Sequence, residues 1–188
     1  MTRLLLPLLA IAVLPLVACG GDDGGSPPAG PFVKVTGSLP HQNKTFSLTK
    51  VETCTFKPGL KELEYKGSSA GGDSLHVLIK DYGGQSPYEL KLRYGVREVR
   101  HRIDVELAGG YRYIYFQHVR SDVGKVFPTV CNVLLTSEEA GDKVRHSGVI
   151  NCAQLWADLK SKDYDGSSLL NANVDMTGRF TCERPNLD

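Results

Sequence analysis

Two segments thirty positions apart echo each other and set most of what this chain can become. They are Val144-Arg145-His146-Ser147-Gly148-Val149-Ile150-Asn151-Cys152 and Val174-Asp175-Met176-Thr177-Gly178-Arg179-Phe180-Thr181-Cys182. In each, Val, His or Met, Gly, Ile or Phe, and Cys fall on alternate positions. Alternate positions of an extended chain share one face, so both segments are expected as strands with an inward apolar side. The second extends backward through Leu170 and Ala172.

The same period recurs upstream. Phe32 to Thr36, Thr45 to Leu48 and Val51 to Phe56 read as opening strands, and Leu60 to Lys66 is ambiguous between strand and short helix. Leu75 to Ile79, Tyr88 to Tyr94 and Val99 to Leu107 alternate cleanly, and Val130 to Leu135 is an apolar strand ahead of a polar turn over Ser137 to Lys143. A meander with one wet face follows. The fold class expected is mainly β, an antiparallel β sandwich or strongly curved sheet. One short helix near the C-terminus is expected over Ala153 to Lys160, where Leu155, Trp156 and Leu159 fall at helical spacing.

Gly109-Gly110 suggests a two-residue hairpin loop. That loop would pair Val105 with Ile114, Ile103 with Phe116 and His101 with His118, leaving Tyr111, Tyr113 and Tyr115 on the solvated face. A three-residue loop would slip the pairing by one and turn the tyrosines inward.

The chain begins Met1-Thr2-Arg3 and continues from Leu4 to Ala18 without a charged side chain. A charged start followed by a short apolar run reads as a signal peptide over residues 1–18, too short to span about 30 Å of hydrocarbon comfortably. Gly20 to Pro31 carries no apolar side chain larger than Ala or Pro. Together with Cys19 it makes residues 19–31 a flexible Gly/Pro/Asp tether about 20 Å from end to end. Residues 32–188 then form a single β-rich domain, long enough to bury about 68–70% of the surface it exposes when unfolded.

Leu16-Val17-Ala18-Cys19 resembles the lipobox of bacterial lipoproteins. The resemblance implies cleavage before Cys19, a diacylglyceryl group on its thiol and an acyl group on its amine. It also implies a bacterial cell-envelope location. Gly20 and Gly21 after the cysteine, rather than Asp, resemble the outer-membrane default of Gram-negative sorting more than inner-membrane retention. More than one chain is needed physically, since each buried CH₂ contributes about 0.8 kcal/mol and a single chain anchors only marginally.

Cys54, Cys131, Cys152 and Cys182 remain, an even set that implies two disulfides with three connectivities open. A strand, helix and strand ending in equivalent cysteines favours Cys152 with Cys182 and Cys54 with Cys131, the two strands joined by a right-handed crossover. No CxxC pair suggests redox or zinc chemistry.

Arg3 is the one charge of the leader, so the mature chain is formally neutral and nothing draws it to nucleic acid. Arg93, Arg100 and Arg102 beside Tyr111, Tyr113 and Tyr115 form a candidate surface for anionic headgroups, phosphates or glycan rings. His101 and His118 are weak metal candidates lacking any HxH or HExxH spacing. Ser161 to Gly166 partly resembles an EF-hand calcium loop, but Ala172 stands where its bidentate Glu belongs. No cofactor is expected, and no catalytic motif is present. Ser147 and His146, adjacent on a strand, point to opposite faces.

The function expected is a lipid-anchored envelope protein with a non-catalytic binding or structural domain. It would be held to the membrane through Cys19, with an envelope protein or glycan as partner. The competing expectation is a periplasmic hydrolase with loop-borne catalytic residues.

Overall fold

The computed structural model describes residues 28–93, 101–116, 130–158, 160–164 and 174–186. These form eleven strands: β1 (Phe32–Gly37), β2 (Lys44–Ser47), β3 (Lys50–Lys57), β4 (Glu62–Ser68), β5 (Ser74–Ile79), β6 (Tyr88–Arg93), β7 (Arg102–Leu107), β8 (Tyr111–Phe116), β9 (Val130–Ala140), β10 (Lys143–Ala157) and β11 (Val174–Pro185). They pair antiparallel in the order β2-β1-β11-β10-β8-β7-β5-β4-β3, with β9 also on β10 and β6 on β9. The result is an open, strongly curled sheet. Its inner face buries Val33, Val35, Ile150, Met176 and Phe180 from one wall against Tyr65, Val77, Ile103, Val105 and Tyr113 from the other.

The echoing segments are strands, and their alternate positions point inward as expected. Val144, His146, Gly148, Ile150 and Cys152 of β10 are buried, as are Val174, Met176, Gly178, Phe180 and Cys182 of β11. The two strands lie directly side by side, antiparallel, so no crossover joins them. That alignment sets each glycine against a bulky partner, Gly148 opposite Phe180 and Gly178 opposite Ile150.

The close approach at Gly148 has a measurable consequence. A Cβ there would lie 2.1 Å from Cε1 of Phe180, whose buried ring is stacked on Tyr65 with centroids 4.4 Å apart. In an ordinary strand, Gly→Ala gains stability by reducing unfolded-chain entropy. Here the ring has nowhere to retreat, so Gly148→Ala is expected to lose about 2 kcal/mol by overpacking. Denaturant midpoints measure it, and a variant as stable as the native chain would refute the packing argument.

The expected helix over Ala153 to Lys160 is corrected. β10 runs on to Ala157, and two single 3₁₀ turns, Pro40–Gln42 and Pro58–Leu60, are the helical structure among the described residues. A bulge between Cys152 and Leu155, with Gln154 at φ 58°, advances the inward phase by one residue. Cys152, Leu155 and Ala157 are therefore all buried, and the three-residue step imitates helical spacing in the sequence. Beyond the bulge Trp156 and Ala157 leave β9 behind and pair with Ile114 and Tyr113 of β8, carrying the chain from one wall to the other.

The expected hairpin register is also corrected. Ala108-Gly109-Gly110 is a three-residue loop, with Gly109 and Gly110 at φ 101° and 90°. Ile103 therefore faces Tyr115, and Val105 faces Tyr113. This register buries two tyrosines and leaves Arg112 outward, whereas the alternative would have driven Arg112 toward the core. The polar stretch after Leu135 continues as paired strand to Ala140, turning only at Gly141 and Asp142. Leu170 and Ala172 lie outside the described residues.

Both disulfides are present, but the favoured pairing is overturned. Cys131 bridges Cys152 and Cys54 bridges Cys182. Along the β10–β11 ladder Cys152 faces Met176 while Cys182 faces His146. Those positions are separated by about 20 Å of strand, far beyond bridging reach. Cys131 and Cys152 face each other directly with Cα atoms 4.0 Å apart. Cys54, on the outermost strand β3, reaches Cys182 across the curl with Cα atoms 5.9 Å apart, tying one end of the sheet to β11.

Candidate functional site

Among the described residues the expected basic and aromatic face does not assemble. Tyr113 and Tyr115 are buried, and burial pushes the Tyr115 hydroxyl up to about 12. Tyr111 is half-buried under the ring of His41, with centroids 4.1 Å apart. Arg102 is engaged with Asp104 at 2.5 Å. Arg93 ends β6 opposite Val130, while Arg100 and His118 lie outside the described residues. His101 is buried and its Nδ1 accepts the Lys80 backbone N–H at 3.2 Å. Burial depresses it to about 4, so it is neutral at neutral pH. Among the described residues no cluster of three or more His, Cys, Asp or Glu could hold a metal ion.

What the outer face does assemble is a charged row across β4, β5, β7 and β8. Glu64 accepts from His76 Nε2 at 3.0 Å, and His76 Nδ1 lies 3.6 Å from Oδ2 of Asp104, its direct cross-strand neighbour. The same oxygen takes Arg102 at 2.5 Å and Arg112 at 2.9 Å, and Arg112 also reaches Asp158 at 3.2 Å. The stems of these cations cover Asp104, which is buried although its strand position faces outward. Burial alone would raise its carboxyl. Hydrogen bonding from His76 and the charges of Arg102 and Arg112 outweigh that and hold it below the ordinary range. Asp104, ahead of Glu64, holds the His76 imidazolium above its ordinary value despite partial burial.

A second cluster closes one end of the sheet. Asp163, its side chain only 7% exposed, accepts His41 Nε2 at 2.9 Å on each oxygen, Gln42 Nε2 at 3.0 Å and the Tyr113 hydroxyl at 2.5 Å. Burial would raise its carboxyl, but the bonds from Tyr113, His41 and Gln42 overcome this and lower it. Ser161 Oγ accepts the Arg112 N–H at 3.0 Å, and Lys162 Nζ lies 5.8 Å from the Tyr111 ring centroid. The segment that resembles a calcium loop is thus a clasp, with its carboxylate turned onto the body of the protein. Asp165 and Gly166 lie outside the described residues.

A Ser–His contact also occurs, at a place the sequence did not suggest. Ser137 Oγ lies 2.8 Å from His146 Nδ1 and is hydrogen-bonded to the Tyr82 hydroxyl. Arg184 Nε lies 3.2 Å from His146 Nε2, and a guanidinium can only donate. Nε2 therefore carries the lone pair, and in the neutral ring Nδ1–H donates to Ser137. His146 in this tautomer cannot take the Ser137 proton, so the pair lacks the base that nucleophilic catalysis needs. Burial, then the Arg184 charge, depress His146 to about 4.

Ser147 and His146 do point to opposite faces, Ser147 toward Thr181 on the outer side. The contacts of Asp163 and Ser137 escaped sequence reading because strand order creates them: His41 and Asp163 are 122 positions apart. No protein-family model, curated protein or solved structure matches the chain, so what the domain does has to be read from its own residues.

Proposed function

We propose that this is a lipid-anchored bacterial envelope protein, held to the membrane through acylated Cys19. Its oxidised β body serves as a non-catalytic binding or structural module. The observation that carries the reading is cysteine arithmetic. The chain has five cysteines, and two bridges consume Cys54, Cys131, Cys152 and Cys182. The fifth is Cys19, where the lipobox resemblance puts the acylated thiol.

Two bridges also suit an oxidising compartment. Among the described residues the first strand starts at Phe32, which is consistent with residues 19–31 as the proposed tether between lipid and domain. Glu64, His76, Arg102, Asp104, Arg112 and Asp158 on the outer face are engaged with one another, which supports a surface that recognises by shape and strand edges rather than by a reactive centre. An envelope protein or a glycan is the partner class, and in a Gram-negative cell the outer membrane is the proposed location.

Mass spectrometry of the N-terminal peptide from membrane-extracted protein tests the anchor. The expected product starts at Cys19 and carries the diacylglyceryl and N-acyl mass, and Cys19→Ser abolishes both cleavage and lipid. An unmodified terminus at another position would overturn the proposal.

A further inference from the structure

We propose that β6 is the seam of a symmetric homodimer, in which two copies join their sheets edge to edge across Tyr88–Arg93. Among the described residues β6 pairs with β9 alone. The Cα separation of 4.0 Å at Cys131–Cys152 marks a cross-strand pair without mutual hydrogen bonds. The N–H and C=O of Cys131 therefore point away from β10, toward its β6 partner Leu92. Alternation then directs the backbone groups of Tyr88, Leu90 and Leu92 at β9 and those of Glu89 and Lys91 at the open side. No hydrogen bond from a described residue meets them there.

The other two edges are blunted. β2 has four residues, and β3 has a bulge between Val51 and Thr53, Lys50 and Lys57 at its ends, and the Cys54 bridge pinning it. β6 is six regular residues, TyrGluLeuLysLeuArg, with no bulge against β9.

Charge selects both the occupant and the register. Open backbone groups meet open ones only when odd-numbered residues of one copy, Glu89 and Lys91 among them, face odd-numbered residues of the other. Centred on Leu90, the antiparallel pairing sets Glu89 against the partner's Lys91 twice, related by the two-fold axis. Centred on Lys91, it would set Glu89 against the partner's Arg93 twice but force Lys91 against the partner's Lys91 at the axis. Of the two, the Leu90-centred register alone pairs opposite charges with no like-charge contact, as a self-complementary isologous interface requires.

Apolar groups flank that seam. Leu90 and Tyr88 are half-buried on the inner side, where they would meet the partner's Leu90 and Leu92. In the outer row Glu89, Leu134 and Val149 lie side by side, with Leu134 38% and Val149 49% exposed. These two, with Lys91, Asn132 and Asn151, line a shallow depression of 260 Å³ beside the edge.

The test is disulfide trapping in the full chain, extracted in detergent without reductant. Leu90→Cys should yield a covalent dimer, because the symmetry-related pair would stand in the same unbonded cross-strand relation that bridges Cys131 to Cys152. Leu92→Cys, expected opposite the partner's Tyr88, should not. On the Leu90→Cys background, Glu89→Lys alone and Lys91→Glu alone should each cut the dimer at least fivefold, and the double reversal should restore it.

Native mass spectrometry of the chain without added cysteine, with and without the same reversals, reads the dimer even if the new thiol disturbs the existing bridges. A monomer by that measurement, equal trapping at Leu92→Cys, or single reversals without effect would overturn the seam.

Discussion

Replacing Cys54 and Cys182 together by alanine is expected to lower stability by about 5 kcal/mol, against about 3 kcal/mol for Cys131 and Cys152. The difference comes from the chain each bridge closes, with sequence separations of 128 and 21. Position adds to length. β3 hydrogen-bonds only to β4 in the sheet, and its bridge to β11 is the covalent tie that holds the curl shut. Domains of this size are stable by only about 5–15 kcal/mol, so losing the longer bridge removes a large part of the margin. The shorter loop is nested within the longer, so the two losses should not add. Urea midpoints of the two double variants decide the matter. A Cys54/Cys182 variant that keeps more stability than the Cys131/Cys152 variant would contradict this account, as would peptide mapping that finds Cys152 joined to Cys182.

Mild acid should destabilise the domain before its carboxylates titrate. His101 and His146 are buried, and burial holds each at about 4 in the folded chain against an ordinary 6.5. Below 6.5 the unfolded chain takes up protons that the folded chain refuses. Stability is thus complete above 6.5 and falls as pH drops toward 4. The gap is worth about 3 kcal/mol for each imidazole when fully expressed.

His76 works in the opposite sense. Its raised value means that its contribution is complete below 6.5 and is lost as pH rises past the folded value, so on acidification it first grows and then persists, offsetting part of the acid loss. The carboxylates Asp104 and Asp163, held below their ordinary range, release their contribution only in stronger acid. Unfolding midpoints between pH 7 and 4.5 should therefore fall steeply in the native chain and much less in His101→Gln/His146→Gln. Glutamine keeps an acceptor for the Lys80 N–H without taking up a proton. A flat native profile, or a double variant with an undiminished slope, would show that these imidazoles are not buried neutral.

Much of the fold is legible in residue order because burial in a sheet has a period of two. Val144 to Cys152 and Val174 to Cys182 announce their inner faces, and Arg102, Asp104 and Glu106 announce an outer one. The failures come where a local pattern has two readings. Leu155 and Trp156 suit a helix as well as a bulged strand, and Gly109-Gly110 suits a loop of two residues or of three. In both cases a partner decides: β8 accepts Trp156, and Asp104 with Asp158 accepts Arg112. The outer charged row is only partly readable: alternation sets Arg102 and Asp104 on the outer face, but a two-residue loop would have turned Arg112 inward, and no local stretch tells that His76 stands opposite Asp104.

The amino-acid order alone determined the cysteine arithmetic and which side of most strands is greasy. Each follows from composition or from alternation within a few residues. Tertiary structure alone decided which cysteines meet, which tyrosines are hidden, and that His41 closes on Asp163. Those contacts depend on strand order and on single-residue register, and no local stretch carries either, because a slip of one position costs nothing until a second strand is in place.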